Sequence, residues 1–174
     1  MNDIDAANLA LLIARVWIGV VIFAHGAKHL KAVRSGPGMA NWFESLGVKP
    51  GWLHAWNVTL TELAAGAALV VGFLTPFSYG GVAAIVLVAL VTNHRSNGFW
   101  SNNPGEGWEY TATLAAVSIA LGALGPGEWS LDDAFELSFP FQNGNALLIA
   151  AVVGIGGTAA FLAAFWRPPK KAAS

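Results

Sequence analysis

The chain contains no cysteine and little charge. Without cysteine it has no disulfide, no thiolate nucleophile, no cysteine-ligated zinc and no iron–sulfur cluster. Charged residues make up 11% of its 174 positions, whereas a soluble domain carries about 25%. A net charge of −1 offers no basic field, so no nucleic-acid partner is expected. No Ser/His/Asp arrangement and no phosphate-binding glycine loop can be read. The opening Met1-Asn2-Asp3-Ile4-Asp5 is acidic where a secretory signal is basic, so the first apolar segment is expected to be retained.

What the chain does have is apolar residues, 55% of the total, in long blocks. Five such blocks lie at about residues 6–27, 54–74, 77–94, 108–124 and 145–166. At 1.5 Å per residue the first is roughly 30 Å long, the thickness of a bilayer's hydrocarbon core. The expected fold is an all-α membrane protein: one integral membrane domain over residues 1–174, a bundle of about five transmembrane helices. The step Thr75-Pro76 leaves only a tight turn between the second and third, so these two should be antiparallel neighbours. Two stripes of small residues, Ala112/Ala116/Ala120 and Gly156/Ala160/Ala164, are expected at helix contacts.

Lys28, Lys31, Arg34 and Lys49 fall in the first loop, Arg95 in the third, and Arg167, Lys170 and Lys171 in the tail. The opposite side holds Asp3, Asp5, Glu128, Asp132, Asp133 and Glu136. That asymmetry predicts an outside N terminus and a cytoplasmic C terminus. Met39, Trp42, Phe43 and Leu46 repeat at helical spacing between Gly36-Pro37-Gly38 and Gly47. They predict a short amphipathic helix, lying at the membrane surface or packed over the bundle mouth. Trp52, Trp56, Trp100, Trp108, Trp129 and Trp166 sit near predicted helix ends, as an aromatic belt does.

Ionisable residues inside the apolar blocks carry the functional signal, since each must find a partner. Arg15 and Glu62 lie at similar depths from opposite faces. They are expected to pair, either to fix helix packing or to form a polar floor or proton path. A second cluster gathers at the predicted cytoplasmic mouth. His25 and His29, four apart and so on one helix face, end the first block. Asn93 and His94 end the third, and Glu109 opens the fourth. The turn-rich segment from Asn97 to Tyr110, which includes Trp100, links those two. Such groups can relay protons or hydrogen-bond a quinone carbonyl; they can equally be helix ends satisfied by loop carbonyls. Their spacing matches no metal-binding motif, and no metal site is assigned.

In these residues the chain resembles the DoxX family of small bacterial membrane proteins. The matching pieces are Arg15…Gly19…His25-Gly26-x-x-His29, Phe43…Leu46-Gly47, Glu62-Leu63-x-x-Gly66…Gly72-x-x-Thr75, His94…Asn97-Gly98-Phe99-Trp100 and Glu109-Tyr110. They cover about residues 8–126, and a C-terminal helix at about 145–166 departs from the usual four-span pattern. The resemblance implies the bacterial cytoplasmic (inner) membrane and a four-helix core. Relatives include a subunit of a thiosulfate:quinone oxidoreductase, which implies a quinone-linked redox subunit. The expected catalytic residues are His25, Glu62 and His94. The expected ligand-binding residues are Arg15, His25, His29, Asn97, Trp100 and Glu109. No cofactor motif is present, and quinone is the candidate ligand. The alternative is a non-enzymatic accessory or scaffolding subunit that docks protein partners in a larger membrane complex through its fifth helix. A small transporter is a third reading.

Overall fold

In the computed structural model the described residues are 2–137, 139–141 and 144–169. They form eight α-helices: α1 (Asp3–Arg34), α2 (Gly38–Ser45), α3 (Gly51–Val71), α4 (Thr75–Ala89), α5 (Glu109–Leu124), α6 (Leu131–Ala134), α7 (Asn145–Ala151) and α8 (Gly157–Phe165). A π-helical turn at Leu90–His94 and a 3-10 turn at Arg95–Asn97 prolong α4, and a π-helical turn at Val152–Gly156 fuses α7 and α8 into one rod. Among the described residues there is no strand, only an isolated bridge between Val48 and Trp166. Three rods, Asp3–Arg34, Thr75–Asn97 and Asn145–Phe165, are long and apolar enough to cross a membrane, while α5 is shorter. The chain is an all-α membrane protein.

The first helix shows how the sequence dictates its packing. The Asn2 side chain accepts the Asp5 N–H at 2.8 Å, Asp3 and Asp5 sit in the first turn, and Lys31 and Arg34 in the last. Both ends therefore complement the helix dipole. Between them, Asn8, Arg15, Ile22 and His29 recur every seven residues and so share one face. Asn8, Arg15 and Ile22 are buried there together with Ile18, Gly19 and Gly26. The antiparallel partner is α3, which shares with α1 the most extensive helix contact.

Glycines set that contact. A Cβ on Gly19 would stand 2.7 Å from the Gly66 carbonyl, and one on Gly66 would stand 2.6 Å from the Phe23 nitrogen. Backbones this close are how helices gain contact in lipid, where apolar burial drives nothing. Ile18, Ile22, Ala65, Leu69, Tyr79 and Val82 form the core beside it, closed by Leu114 and Leu121 of α5.

The expected tight turn is present: α3 ends at Val71, Gly72 takes the left-handed conformation (φ 71°), and α4 begins at Thr75. The fifth rod packs on α4 at two further glycines. A Cβ on Gly80 would lie 2.7 Å from Val153 Cβ, and one on Gly154 3.0 Å from Ala83 Cβ. Its far end is stitched to the first loop, with Lys49 N–H donating to Phe165 O and Arg167 N–H to Gly47 O. Trp166 Nε1 donates to Leu46 O, and the Arg95 guanidinium covers the Trp166 ring at 5.4 Å. The additional helix thus covers α4 as part of the bundle.

Two expectations change and a third is met. The helix expected at 6–27 extends to Arg34, since Lys28, Lys31 and Arg34 prolong it past the apolar run. Ala116, Ala120, Gly156, Ala160 and Ala164 are exposed. The buried small residues are instead Ala115, Ser118 and Gly122 on α5 and Ala146, Ala150, Gly154 and Thr158 on the fifth rod. Periodicity gave the spacing of small residues, but the core side of each rod is set by its neighbours. The amphipathic helix exists as α2; it packs on α3 with Met39 buried and Trp42 exposed.

Candidate functional site

Arg15 and Glu62 do not pair. Both are buried, at 2% and 4% exposure, but they belong to opposite ends of the α1–α3 contact. Antiparallel packing sets Gly26 against Glu62 and Leu63 and Gly19 against Gly66, so Arg15 falls opposite the end of α3. His29, the actual partner of Glu62, is 14 residues beyond Arg15, or about 21 Å along the helix.

At its own end Arg15 donates through Nη1 to the carbonyls of Leu69 and Val70, both at 3.2 Å, and through Nη2 to Trp129 O at 2.6 Å. The carbonyls at a helix C-terminus lack partners within the helix and carry the negative end of its dipole. With Trp129 O they hold both Nη groups of the guanidinium without any carboxylate partner, while the buried Nε has no hydrogen-bond partner among the described residues. The carboxylate in this neighbourhood is Asp132, fully buried, which accepts the backbone N–H groups of Leu74 (2.6 Å) and Thr75 (2.8 Å) and so caps α4. Its own N–H donates to Gly72 O. Asn8 Nδ2 donates to Glu128 Oε2 at 2.9 Å, and the Glu128 N–H donates to Asn8 Oδ1 at 3.0 Å. The segment from Gly125 onward is thereby folded over the ends of α1 and α3.

The other end holds the single ion pair found among the described residues. Glu62 Oε2 lies 2.6 Å from His29 Nδ1. The two side chains differ in access, 5% for Glu62 against 28% for His29. With Glu62 ionised, His29 Nδ1–H donates to it; Nε2 has no hydrogen-bond partner among the described residues. That is the arrangement of a buried carboxylate that orients an imidazole whose far nitrogen can exchange a proton. His25 is exposed on the same side of α1, with its ring edge-on to His29 at 6.4 Å between centroids.

The remaining expected site residues form a separate structure. His94 Nδ1 bonds Glu106 O at 2.8 Å. Asn97 Nδ2 lies within hydrogen-bond distance of the carbonyls of Asn93, Gly105 and Glu106, and Asn103 Nδ2 donates to Asn97 O. Glu109 Oε2 accepts the Ser101 N–H at 3.1 Å. Phe99 packs edge-on against Trp100 and Trp108, and Trp100 is 60% exposed. His94, Asn97 and Glu109 thus hold the loop from Gly98 to Trp108 in shape. None of them bonds His25, His29 or Glu62.

Among the described residues no three His, Asp or Glu side chains come together as a metal site. Two open grooves stand out. One of about 420 Å³ is lined by Ala27, Leu30, Lys31, Arg34 and Ser35. The other, about 410 Å³, lies at the acidic end and includes Asn8, Glu128 and Asp133. Neither touches the His29–Glu62 pair.

Residues 10–95 match the DoxX family model. This is a DoxX family protein. The matched region contains Arg15, His25, His29, Glu62 and His94, hence the ion pair and both close glycine contacts of α1 with α3. DoxX proteins are membrane proteins associated with oxidoreductase-type systems. No curated protein and no solved structure matches the chain.

Sequence reasoning missed Asp132, Asn8 and His54. Asp132 looked like one acidic loop residue among four. Asn8 carried a usable signal, its seven-residue spacing from Arg15. His54 is buried at the start of α3 against Phe161 and Phe165 of α8, a contact with no local signature.

Proposed function

We propose that this DoxX protein is a redox-linked membrane subunit whose proton-exchanging element is the His29–Glu62 pair, open to a quinone-like lipophilic ligand. The observation that carries the reading is the asymmetry of the pair: a carboxylate sealed between α1 and α3, and an imidazole partly reachable from outside the bundle. A ligand carbonyl arriving from the bilayer would meet the Nε2–H of His29 in its imidazolium form, which donates to it while Nδ1–H donates to Glu62, with His25 beside it. Reduction of a quinone takes up protons, and His29, held by Glu62, can deliver one; electrons would come from a partner protein. His94, Asn97 and Glu109 are positioning residues of the adjoining loop, and Arg15 is structural. In this reading five helices cross the bacterial inner membrane, α3 and α5 among them. The basic end, with Lys28, Lys31, Arg34, Arg95 and Arg167, then faces the cytoplasm.

The test is quinone binding and turnover by the protein in lipid nanodiscs with its native partner. Glu62→Gln and His29→Asn should lower turnover by about 10²–10⁴-fold, the contribution of a positioned proton donor. His94→Asn should change it little. Equal turnover in all three variants would overturn the reading. A second reading, a non-enzymatic accessory subunit, is favoured by the open grooves lying away from the ion pair. Partner polypeptides retained at fixed ratio without any bound quinone would support it.

A further inference from the structure

The last two turns of α1 carry three cations that the functional reading does not use. Lys28, Lys31 and Arg34 are all exposed. None has a carboxylate within ion-pair distance among the described residues, where the only such pair joins His29 and Glu62. Lys31 and Arg34 line the groove of about 420 Å³ together with Ala27, Leu30 and Ser35. All five lie along one face at the end of α1, the aliphatic Ala27 and Leu30 towards the middle of the helix and Lys31, Arg34 and Ser35 towards its terminus. The Ser35 hydroxyl hydrogen is committed to Ala32 O, at 2.8 Å, so the donors left for an incoming anion are the ammonium and the guanidinium.

The height of the groove is fixed by the α1–α3 contact. Gly26 faces Glu62, so Arg34, eight residues on, is level with His54 in the first turns of α3. Trp52 and Trp56 of those turns are exposed, as is Trp42 of the neighbouring α2. Indole rings at such positions mark the boundary between hydrocarbon and headgroups. A groove at that boundary, aliphatic towards the middle of the helix and doubly cationic towards its terminus, matches an anionic phospholipid: acyl chain against Ala27 and Leu30, phosphate against Lys31 and Arg34. We infer that this groove of α1 is a binding site for the headgroup of an anionic phospholipid of the surrounding bilayer.

The full chain, purified in mild detergent, is to be titrated with phosphatidylglycerol and with phosphatidylcholine, and bound lipid counted by native mass spectrometry. The wild type should retain phosphatidylglycerol preferentially. Basic residues at a membrane surface contribute about 1 kcal/mol each. Lys31→Gln with Arg34→Gln should therefore weaken retention by about 30-fold, with Lys49→Gln as the exposed-lysine control. Equal retention of both lipids, or equal loss in the Lys49 control, would overturn the proposal. So would displacement of the lipid by millimolar inorganic phosphate, which would mark a site for a soluble anion. Because the readout is lipid count, the outcome does not depend on whether the His29–Glu62 pair handles a quinone.

Discussion

The guanidinium of Arg15 occupies the space that a side chain on Gly72 would fill. Gly72 is in the left-handed conformation at φ 71°, and a Cβ there would collide with Arg15 Nη1. One residue thus ends α3, starts the turn into α4 and leaves room for the cation that binds the α3 carbonyls. The buried arginine is held by backbone alone: Leu69, Val70 and Trp129.

Gly72→Ala should therefore destabilise the bundle by at least about 1–2 kcal/mol, the cost of left-handed backbone at a non-glycine residue. Displacement of Arg15 adds to it. Thermal unfolding in detergent measures this, and a variant as stable as wild type would contradict the packing described.

Asp132→Ala removes both acceptors from the first N–H groups of α4. A lost helix cap costs about 0.5–2 kcal/mol, and the burial of Asp132 puts the expectation at the upper end. Asp132→Asn keeps one oxygen acceptor and should lose less. Reversal of that order in denaturation midpoints would count against the cap.

His29→Ala leaves the Glu62 carboxylate sealed between two helices without its partner. Breaking a buried pair from one side costs about 3–5 kcal/mol, whereas replacing both members by apolar residues is often close to neutral. The 28% exposure of His29 calls for the lower end of that range. His29→Leu combined with Glu62→Leu should be more stable than His29→Ala alone, while losing any quinone-linked turnover. Comparing expression and melting of the single and double variants checks the stability half.

The two faces of α5 should respond in opposite ways. Ala116 is exposed and Ala116→Leu should change stability by no more than about 0.5 kcal/mol. Gly122 faces the fifth rod, where a Cβ would stand 2.7 Å from Ala150 Cβ. Gly122→Leu should cost about 1–3 kcal/mol through overpacking and loosen the fifth rod, read as faster proteolysis between α5 and α7.

Asn97→Asp would set a carboxylate against the carbonyls of Asn93, Gly105 and Glu106 in place of an amide donor. A buried acceptor facing acceptors costs about 1–3 kcal/mol; Asn97 is only partly buried, so the lower end is expected, and locally. The loop from Gly98 to Trp108 should become protease-sensitive while the helices melt as before; global unfolding would contradict the separation of loop and bundle.

Composition and block length were enough for the membrane class, the helical rods and the tight turn at Thr75-Pro76, because a bilayer admits few backbone solutions. The ionisable residues Arg15, His29 and Glu62 were visible as unusual in or at the ends of apolar blocks, whereas Gly19, Gly26 and Gly66 entered only as positions of the family resemblance. Which of them meet was not visible. The pairing of Arg15 with Glu62 rested on depth counted from block ends, and α1 runs seven residues past the block end taken for it. That shift carries Glu62 to His29 and frees Arg15 for the end of α3. The sequence by itself determined that buried charges would need partners, since hydrocarbon leaves them none. Only tertiary structure decided the partners, because the register of two antiparallel helices depends on where their backbones can approach, and here glycines at 19, 26 and 66 set it.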